Sequence, residues 1–140
     1  MRAVPVVTLL ERMMRRLSGG RRGVLDLARL PSMELTVPGR RTGIARTVSL
    51  LYVPDGLDRH LLVGSNWGRP EHPSWSANLA ATEDAEIHSG GRRSKVRVRL
   101  LQGDERDRAW ERVIDYWPGY AMEQRLAGSR TFRLFELVEI

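Results

Sequence analysis

Apolar positions recur along the chain first at helical spacing and then at strand spacing. Val6, Leu9, Leu10, Met13, Met14 and Leu17 share one helical face, with Glu11, Arg12, Arg15 and Arg16 turned away. The glycines of SGG at 18–20 end the pattern. Residues 1–18 are therefore expected to form an amphipathic N-terminal helix and residues 19–32 a short basic linker. A single domain is expected over 33–140. From residue 33 the period falls to two. MELTV at 33–37 reads as a strand stopped by Pro38 and Gly39. In 46–53, Val48, Leu50 and Tyr52 alternate with Thr47, Ser49 and Leu51. The Asp55-Gly56 pair is a turn signal, and RHLLVGS after it makes a third strand. Three strands with short links suggest an antiparallel meander.

HPSWSANLAA reads as a short helix with Pro73 in its first turn and Trp75, Asn78 and Leu79 on one face. DAEIHS, a Gly-Gly turn and RRSKVRVRLL form a hairpin. Its second strand sets Val96, Val98 and Leu100 against Lys95, Arg97 and Arg99. DERDRAWERVIDYW is an amphipathic helix with Trp110, Val113, Ile114 and Trp117 inward. PGYAMEQRLAG is a short helix or ordered loop, and FRLFELVEI a last strand. Six strands with hairpin links and few helices predict a mainly β, α+β domain: a small antiparallel barrel with helices outside. Strands and helices do not alternate, which argues against a doubly wound sheet.

Charge adds a partner class. Lys plus Arg is 23 against 17 for Asp plus Glu, a net charge of +6, and Lys95 is the one lysine. Arginine presents a planar fork that suits phosphate and carboxylate, so an acidic partner is expected. There is no cysteine, which excludes disulfides, thiolate metal sites and a cysteine nucleophile and fits a cytoplasmic protein. No apolar run reaches membrane-spanning length. Glu11 and Arg12 interrupt the N-terminal apolar stretch too early for a signal peptide. The helix at 4–17 then has two readings: packing on the barrel or a partner subunit, or peripheral contact with the inner face of the cell membrane.

The familiar catalytic constellations are missing. His60, His72 and His88 stand at no metal-ligand spacing, so no metal site is expected. Neither a nucleophile elbow nor a P-loop is present. An enzyme so equipped borrows its chemistry from an organic cofactor. Arg40, Arg41 and Arg46 bracket the turn GRRTG, whose N–H groups beside Thr42 and Gly43 could cradle a phosphate. GSNWG at 64–68 offers small residues and an amide to a flat ring. PSWSAN adds an aromatic wall, and Trp117 and Tyr120 a lid. Each feature alone is compatible with a solvated hairpin or a core aromatic.

Together, residues 35–82 (LTVPGRRTGIARTVSLLYVPDGLDRHLLVGSNWGRPEHPSWSANLAAT) resemble the deazaflavin-dependent nitroreductase family. That family carries L-T-T-x-G-R-[KR]-[ST]-G-x-x-R-x-x-P-L, a D-G turn, a strand ending S-[NK]-x-G, and P-x-W-x-x-N-L. The resemblance implies a split β-barrel that binds coenzyme F420 and reduces quinones or nitro compounds by hydride transfer. Arg40, Arg41, Thr42 and Arg46 would face the cofactor's phosphate and acidic tail. The strand Thr47, Val48, Ser49, Leu50, Leu51 would run beneath it. Val63, Gly64, Ser65 and Asn66 would lie along the ring. Ser74, Trp75, Ser76, Ala77 and Asn78 would close the other side, and Tyr120 would line the pocket. No catalytic side chain is implied. Ser49 replaces the family's proline, and Trp117 and Glu123 stand where relatives often carry tyrosines.

Two alternatives stay open at this level, and a third is argued against in part. The barrel could hold FMN, as related split-barrel oxidases do. It could bind the cofactor without turnover, since the lid is altered. The third is a non-enzymatic basic barrel that binds nucleic acid or anionic lipid; single-strand binding would need aromatics interleaved with arginine on a strand, and the Arg97 and Arg99 strand lacks them, so no nucleic-acid partner is expected.

Overall fold

The computed structural model describes residues 31–140, so the helix expected at 4–17, the whole of segment 1–18 and most of the linker lie outside the described residues. Seven strands form one antiparallel sheet. They are β1 (Ser32–Pro38), β2 (Ala45–Leu51), β3 (Val53–Pro54), β4 (Arg59–Val63), β5 (Asp84–Ser89), β6 (Arg92–Leu100) and β7 (Leu134–Glu139). Three helices accompany them: α1 (Ser74–Ala80), α2 (Gly103–Tyr116) and α3 (Gly119–Leu126), with a 3₁₀ turn at Asn66–Gly68.

The strand order is β2-β1-β5-β6-β7-β4-β3. The two ends of that order, β2 and β3, are separated in the chain by Tyr52 alone. The sheet must therefore curl until its edges meet at this residue, which makes it a split barrel. Two expectations are corrected here. There are seven strands, not six, because the alternating run 46–53 breaks at Tyr52 and changes partner. Residues before it pair with β1 and residues after it with β4. The first three predicted strands are also not a meander, because β4 pairs with β3 and β7 and not with β2. Periodicity marks which side chains face inward but carries no record of which strand lies alongside.

The barrel interior is filled by Met33, Leu35, Val37, Leu62, Leu79, Ala85, Ile87, Val96, Phe135 and Leu137. Val48, Leu50, Tyr52 and Val98 pack against it from less enclosed positions. A second layer lies between the sheet and α2 and α3, built from Val53, Leu61, Val63, Leu101, Ala109, Val113, Phe132 and Leu134. β4 is apolar on both faces because Leu62 serves the first layer and Leu61 and Val63 the second. Leu100, expected inward, is exposed, while the next residue, Leu101, is buried in the second layer.

α2 carries Asp104 and Glu105 in its first turn, where the helix dipole favours acids. It stops at Trp117 because the following Pro118 pushes its predecessor out of helical geometry. Pro118 then caps α3, so PGYAMEQRLAG is a helix and not a loop.

Candidate functional site

The turn between β1 and β2 is built by its own backbone. The Gly39 N–H donates to Ile44 O at 2.8 Å, and the Gly43 N–H to Gly39 O at 2.8 Å. Thr42 Oγ1 accepts from the Ile44 N–H at 3.2 Å. Gly43 has φ +74°, the left-handed region that glycine enters freely. A Cβ at Gly39 would meet Thr42 Oγ1 at 3.1 Å and the Ile44 carbonyl at 3.3 Å, a tight fit that the turn would accommodate only by shifting a few tenths of an ångström.

One residue of α1 ties this turn down. Asn78, 9% exposed, accepts from the Arg40 backbone N–H at 3.1 Å and from Arg40 Nη1 at 2.8 Å. Asn78 and Arg40, both candidates from the sequence, are thus brought together, and the first job of each is to hold the other. Arg41 and Arg46 are exposed, and their side chains make no ion pair or hydrogen bond among the described residues. Much of the remaining arginine is engaged. Arg99 pairs with Glu136 at 3.0 Å and Glu105 at 2.5 Å, Arg97 with Asp84 at 2.9 Å, and Arg92 with Glu139 at 2.5 Å. Thr47 is exposed, and its hydroxyl meets that of Thr36 at 2.9 Å. Ser49 is exposed and Val48, Leu50 and Leu51 half-buried on β2, the strand at one end of the sheet.

The second group of candidates gathers after β4. Val63 and Gly64 are buried, while Ser65 and Asn66 are half-buried. Asn66 takes φ +50° and donates from Nδ2 to Glu71 O at 2.9 Å. The 65–72 segment is clamped by Arg130, which the sequence reading missed. Its guanidinium donates to the carbonyls of Gly64 at 2.9 Å, Ser65 at 2.5 Å and Arg69 at 2.7 and 2.9 Å. It also donates to His72 Nδ1 at 3.2 Å and lies 4.8 Å from the Phe132 ring centre. Burial and the charges of Arg133 and Arg130 lower the His72 pKa, which leaves its Nδ1 a lone pair to accept that bond. No local signal in GSRTF announces this role, because its partners are backbone carbonyls some 60 positions away.

α1 connects the two groups. Ser76 is fully buried, donates to Pro73 O at 2.9 Å and accepts from Arg133 Nη1 at 2.8 Å. The Gly64 N–H donates to the Arg133 carbonyl at 2.9 Å. Ser76 therefore supports the β4 end from behind, while Asn78, two positions on, holds the arginine turn. Trp75 is half-buried against the barrel interior, its ring 6.0 Å from Phe135. Ser74 is exposed and Ala77 half-buried.

α3 packs over the 3₁₀ turn. Gly68 has φ +75°, and a Cβ there would come within 2.9 Å of the Glu123 carbonyl. Tyr120 is half-buried with Trp110 and Trp117 against the outer layer. Burial, then the charge of Glu123, raises its phenol pKa above the usual range. Glu123 is only 2% exposed, and its Oε1 has no hydrogen-bond partner. Burial pushes its pKa up to about 7, against the opposing pull of the Ser65 hydroxyl and of Arg130. Among the described residues no group of acids and histidines is arranged to hold a metal ion. None of the described helices is long and apolar enough to cross a membrane.

Fold and site together define a split β-barrel protein with two uncommitted arginines on a braced turn and a clamped loop after β4. Comparison with known proteins narrows the class. The family model of the F420H(2)-dependent quinone reductases matches residues 7–134, and the chain belongs to that family. It is similar to an F420H(2)-dependent quinone reductase of Mycobacterium tuberculosis, 40% identical over 85 residues. That match covers 59% of this chain and 56% of the relative, so the chain spans about half the length of the curated relatives it matches first. Among solved structures it resembles an F420-H2 dependent reductase, FDR-A, at TM-score 0.68 and 29% identity, over 76% of this chain and 93% of that one. It also resembles a chain described as a domain-swapped dimer at TM-score 0.70 and 30% identity, over 95% of this chain and 98% of the other.

Proposed function

We propose that the protein is a reductase that uses reduced coenzyme F420 to reduce a quinone, with nitro compounds as further acceptors. The observation that carries this reading is the pair Arg41 and Arg46. Their side chains are exposed and unpaired among the described residues, Arg41 in the turn and Arg46 at the start of β2, on a hairpin that Asn78 braces through Arg40. A cation left without a partner on a braced backbone is prepared for an anion, and a phosphate with a carboxylate-rich tail supplies several. The donor set therefore fits the cofactor.

Arg40, Arg41, Thr42 and Arg46 would hold the phosphate and the tail. The β2 residues Thr47 to Leu51, the segment Val63 to Asn66 and the α1 residues Ser74 to Asn78 would enclose the ring, with Tyr120 on the lid. When bound, the cofactor supplies a hydride. The chain's own residues bind, orient and exclude water, which is how a site without a nucleophile accelerates such a transfer. The clamp from Arg130 fixes the carbonyls of Gly64 and Ser65, so the wall of the site is set before any ligand arrives. Residues 1–18 as a helix, and contact of 4–17 with the inner face of the cell membrane, belong to the same reading, because a quinone dissolves in the lipid.

The test is a titration of the protein with coenzyme F420 and, separately, with FMN. The reading requires the deazaflavin to bind and Arg41→Ala or Arg46→Ala to weaken it. Binding of FMN alone would replace it with the oxidase alternative. Binding without reduction of menadione would leave a carrier.

A further inference from the structure

α2 and α3 leave a groove of about 420 Å³ where they adjoin, lined by Glu111, Ile114 and Asp115 of α2 and by Pro118 and Ala121. Ile114, expected inward from the sequence, is only half-buried and lines the groove instead. Met122, the next residue on α3, is 45% exposed. Beside these apolar residues runs an acidic row. Asp107, Glu111 and Asp115 stand four apart on α2, all exposed, and their side chains make no ion pair or hydrogen bond among the described residues. By contrast, Asp84, Glu105, Glu136 and Glu139 are each paired with an arginine. Like charges at this spacing repel and weaken a helix. A partner that brings apolar side chains with positive charge along one border would cover the groove and relieve the row.

A segment of the chain itself answers to that description. Val6, Leu9, Leu10, Met13, Met14 and Leu17 form one face at helical spacing, and Arg12 and Arg16 lie along one border of it. These arginines are four apart, as Glu111 and Asp115 are. Residues 1–30 hold seven arginines against two acids, so five of the six net positive charges lie in them. A helix over 4–17 would be about 21 Å long, which matches the 14 residues of α2. Reach is no obstacle. The described chain begins beside the barrel seam, where the Pro31 carbonyl accepts from the Tyr52 N–H at 2.9 Å. Residues 18–30 can extend about 40 Å. A domain of this size has a radius of gyration of about 13 Å, so every face lies within range.

We propose that the groove between α2 and α3 is the docking site of the basic amphipathic segment 4–17 of the same chain. Arg12 and Arg16 meet the acidic row, and the apolar face covers Ile114, Pro118 and Ala121. The functional reading offers this same face to lipid, so docking and membrane contact exclude each other. The groove holds the segment while the protein is off the membrane. Docking needs no cofactor, so the F420 titration tests the reductase reading separately.

Hydrogen-exchange mass spectrometry of the full chain tests the docking. An isolated helix of this length is marginal in water, so protection of 4–17 reports a docked segment. That protection is expected in low salt and should fall at least roughly tenfold in the Glu111→Lys, Asp115→Lys variant. Adding Arg12→Glu and Arg16→Glu to that variant should restore part of it, which a merely weakened α2 would not do. Leu9→Asp with Met13→Asp should abolish it by removing the apolar half of the contact. A segment 4–17 without protection in the wild type would overturn the proposal. So would protection that survives both the charge reversal and the apolar-face variant. Protection that appears only at high protein concentration, with a doubled mass in solution, would overturn it in favour of docking on a second copy. Should one variant fail to fold, the other decides the matter.

Discussion

Asn78 Oδ1 accepts two hydrogen bonds from Arg40, one from the backbone N–H at 3.1 Å and one from the guanidinium at 2.8 Å, across 38 residues of sequence. This contact joins the tip of the β1–β2 hairpin to α1. It turns an arginine-rich loop into a fixed platform from which Arg41 and Arg46 project.

Asn78→Ala removes both bonds and releases the turn. The expected result is roughly tenfold weaker F420 binding, the equivalent of about 1.4 kcal/mol. Isothermal titration would measure it, with a thermal melt alongside to register the loss of stability. An unchanged affinity would mean that Arg41 and Arg46 do not need the brace.

The arginine that clamps the ring segment should tolerate no substitute. Arg130→Lys keeps the charge but cannot reach the carbonyls of Gly64, Ser65 and Arg69 from one planar fork. A loss of about 2 to 3 kcal/mol in urea unfolding is expected. Wild-type stability in the lysine variant would show that charge alone holds the segment.

Gly68 is a steric test of how α3 sits. An alanine there must take φ near +75° and place its Cβ against the Glu123 carbonyl. We expect Gly68→Ala to cost about 2 to 3 kcal/mol and to raise hydrogen exchange in α3. Gly43→Ala, which also has positive φ but open space around it, should cost less.

Stability should carry the mark of Glu123. Between its ordinary pKa of 4.5 and its folded value of about 7, the folded state keeps a proton that the unfolded chain has released. The acid's contribution is therefore full below pH 4.5 and is lost as pH rises to about 7. Relative to Glu123→Gln, the wild type should lose about 3 kcal/mol across that window, from some 2.5 pH units at about 1.4 kcal/mol each. Paired denaturant melts at several pH values would give the difference. A gap that does not change with pH would contradict the burial of this carboxyl.

Much of the architecture could be read from the chain. Alternation in 33–37 and 46–53, the Gly-Gly hairpin and the apolar stripe of α2 each reflect a local requirement that one face be buried. Tyr52 could not be read as a break, because its side chain keeps the alternation while its backbone changes neighbours to close the barrel. The site divided along the same line. GRRTG, GSNWG and HPSWSAN were visible as motifs, since turns, small residues and amides have local signatures. Arg130 was not, because it binds backbone carbonyls that any sequence would supply. Glu123 was visible only as a departure from a tyrosine pattern. Its place one helical turn after Tyr120 was the available sign that it faces inward.

The most direct test is cofactor binding read against salt and tail length. If Arg41 and Arg46 meet an acidic tail, F420 should bind at on the order of 1 μM or better in low salt, more tightly with a longer tail. That advantage should shrink as salt rises and vanish in the Arg41→Ala, Arg46→Ala double variant. Binding of FMN in preference to F420, or F420 affinity indifferent to salt, tail length and both arginines, would contradict the account.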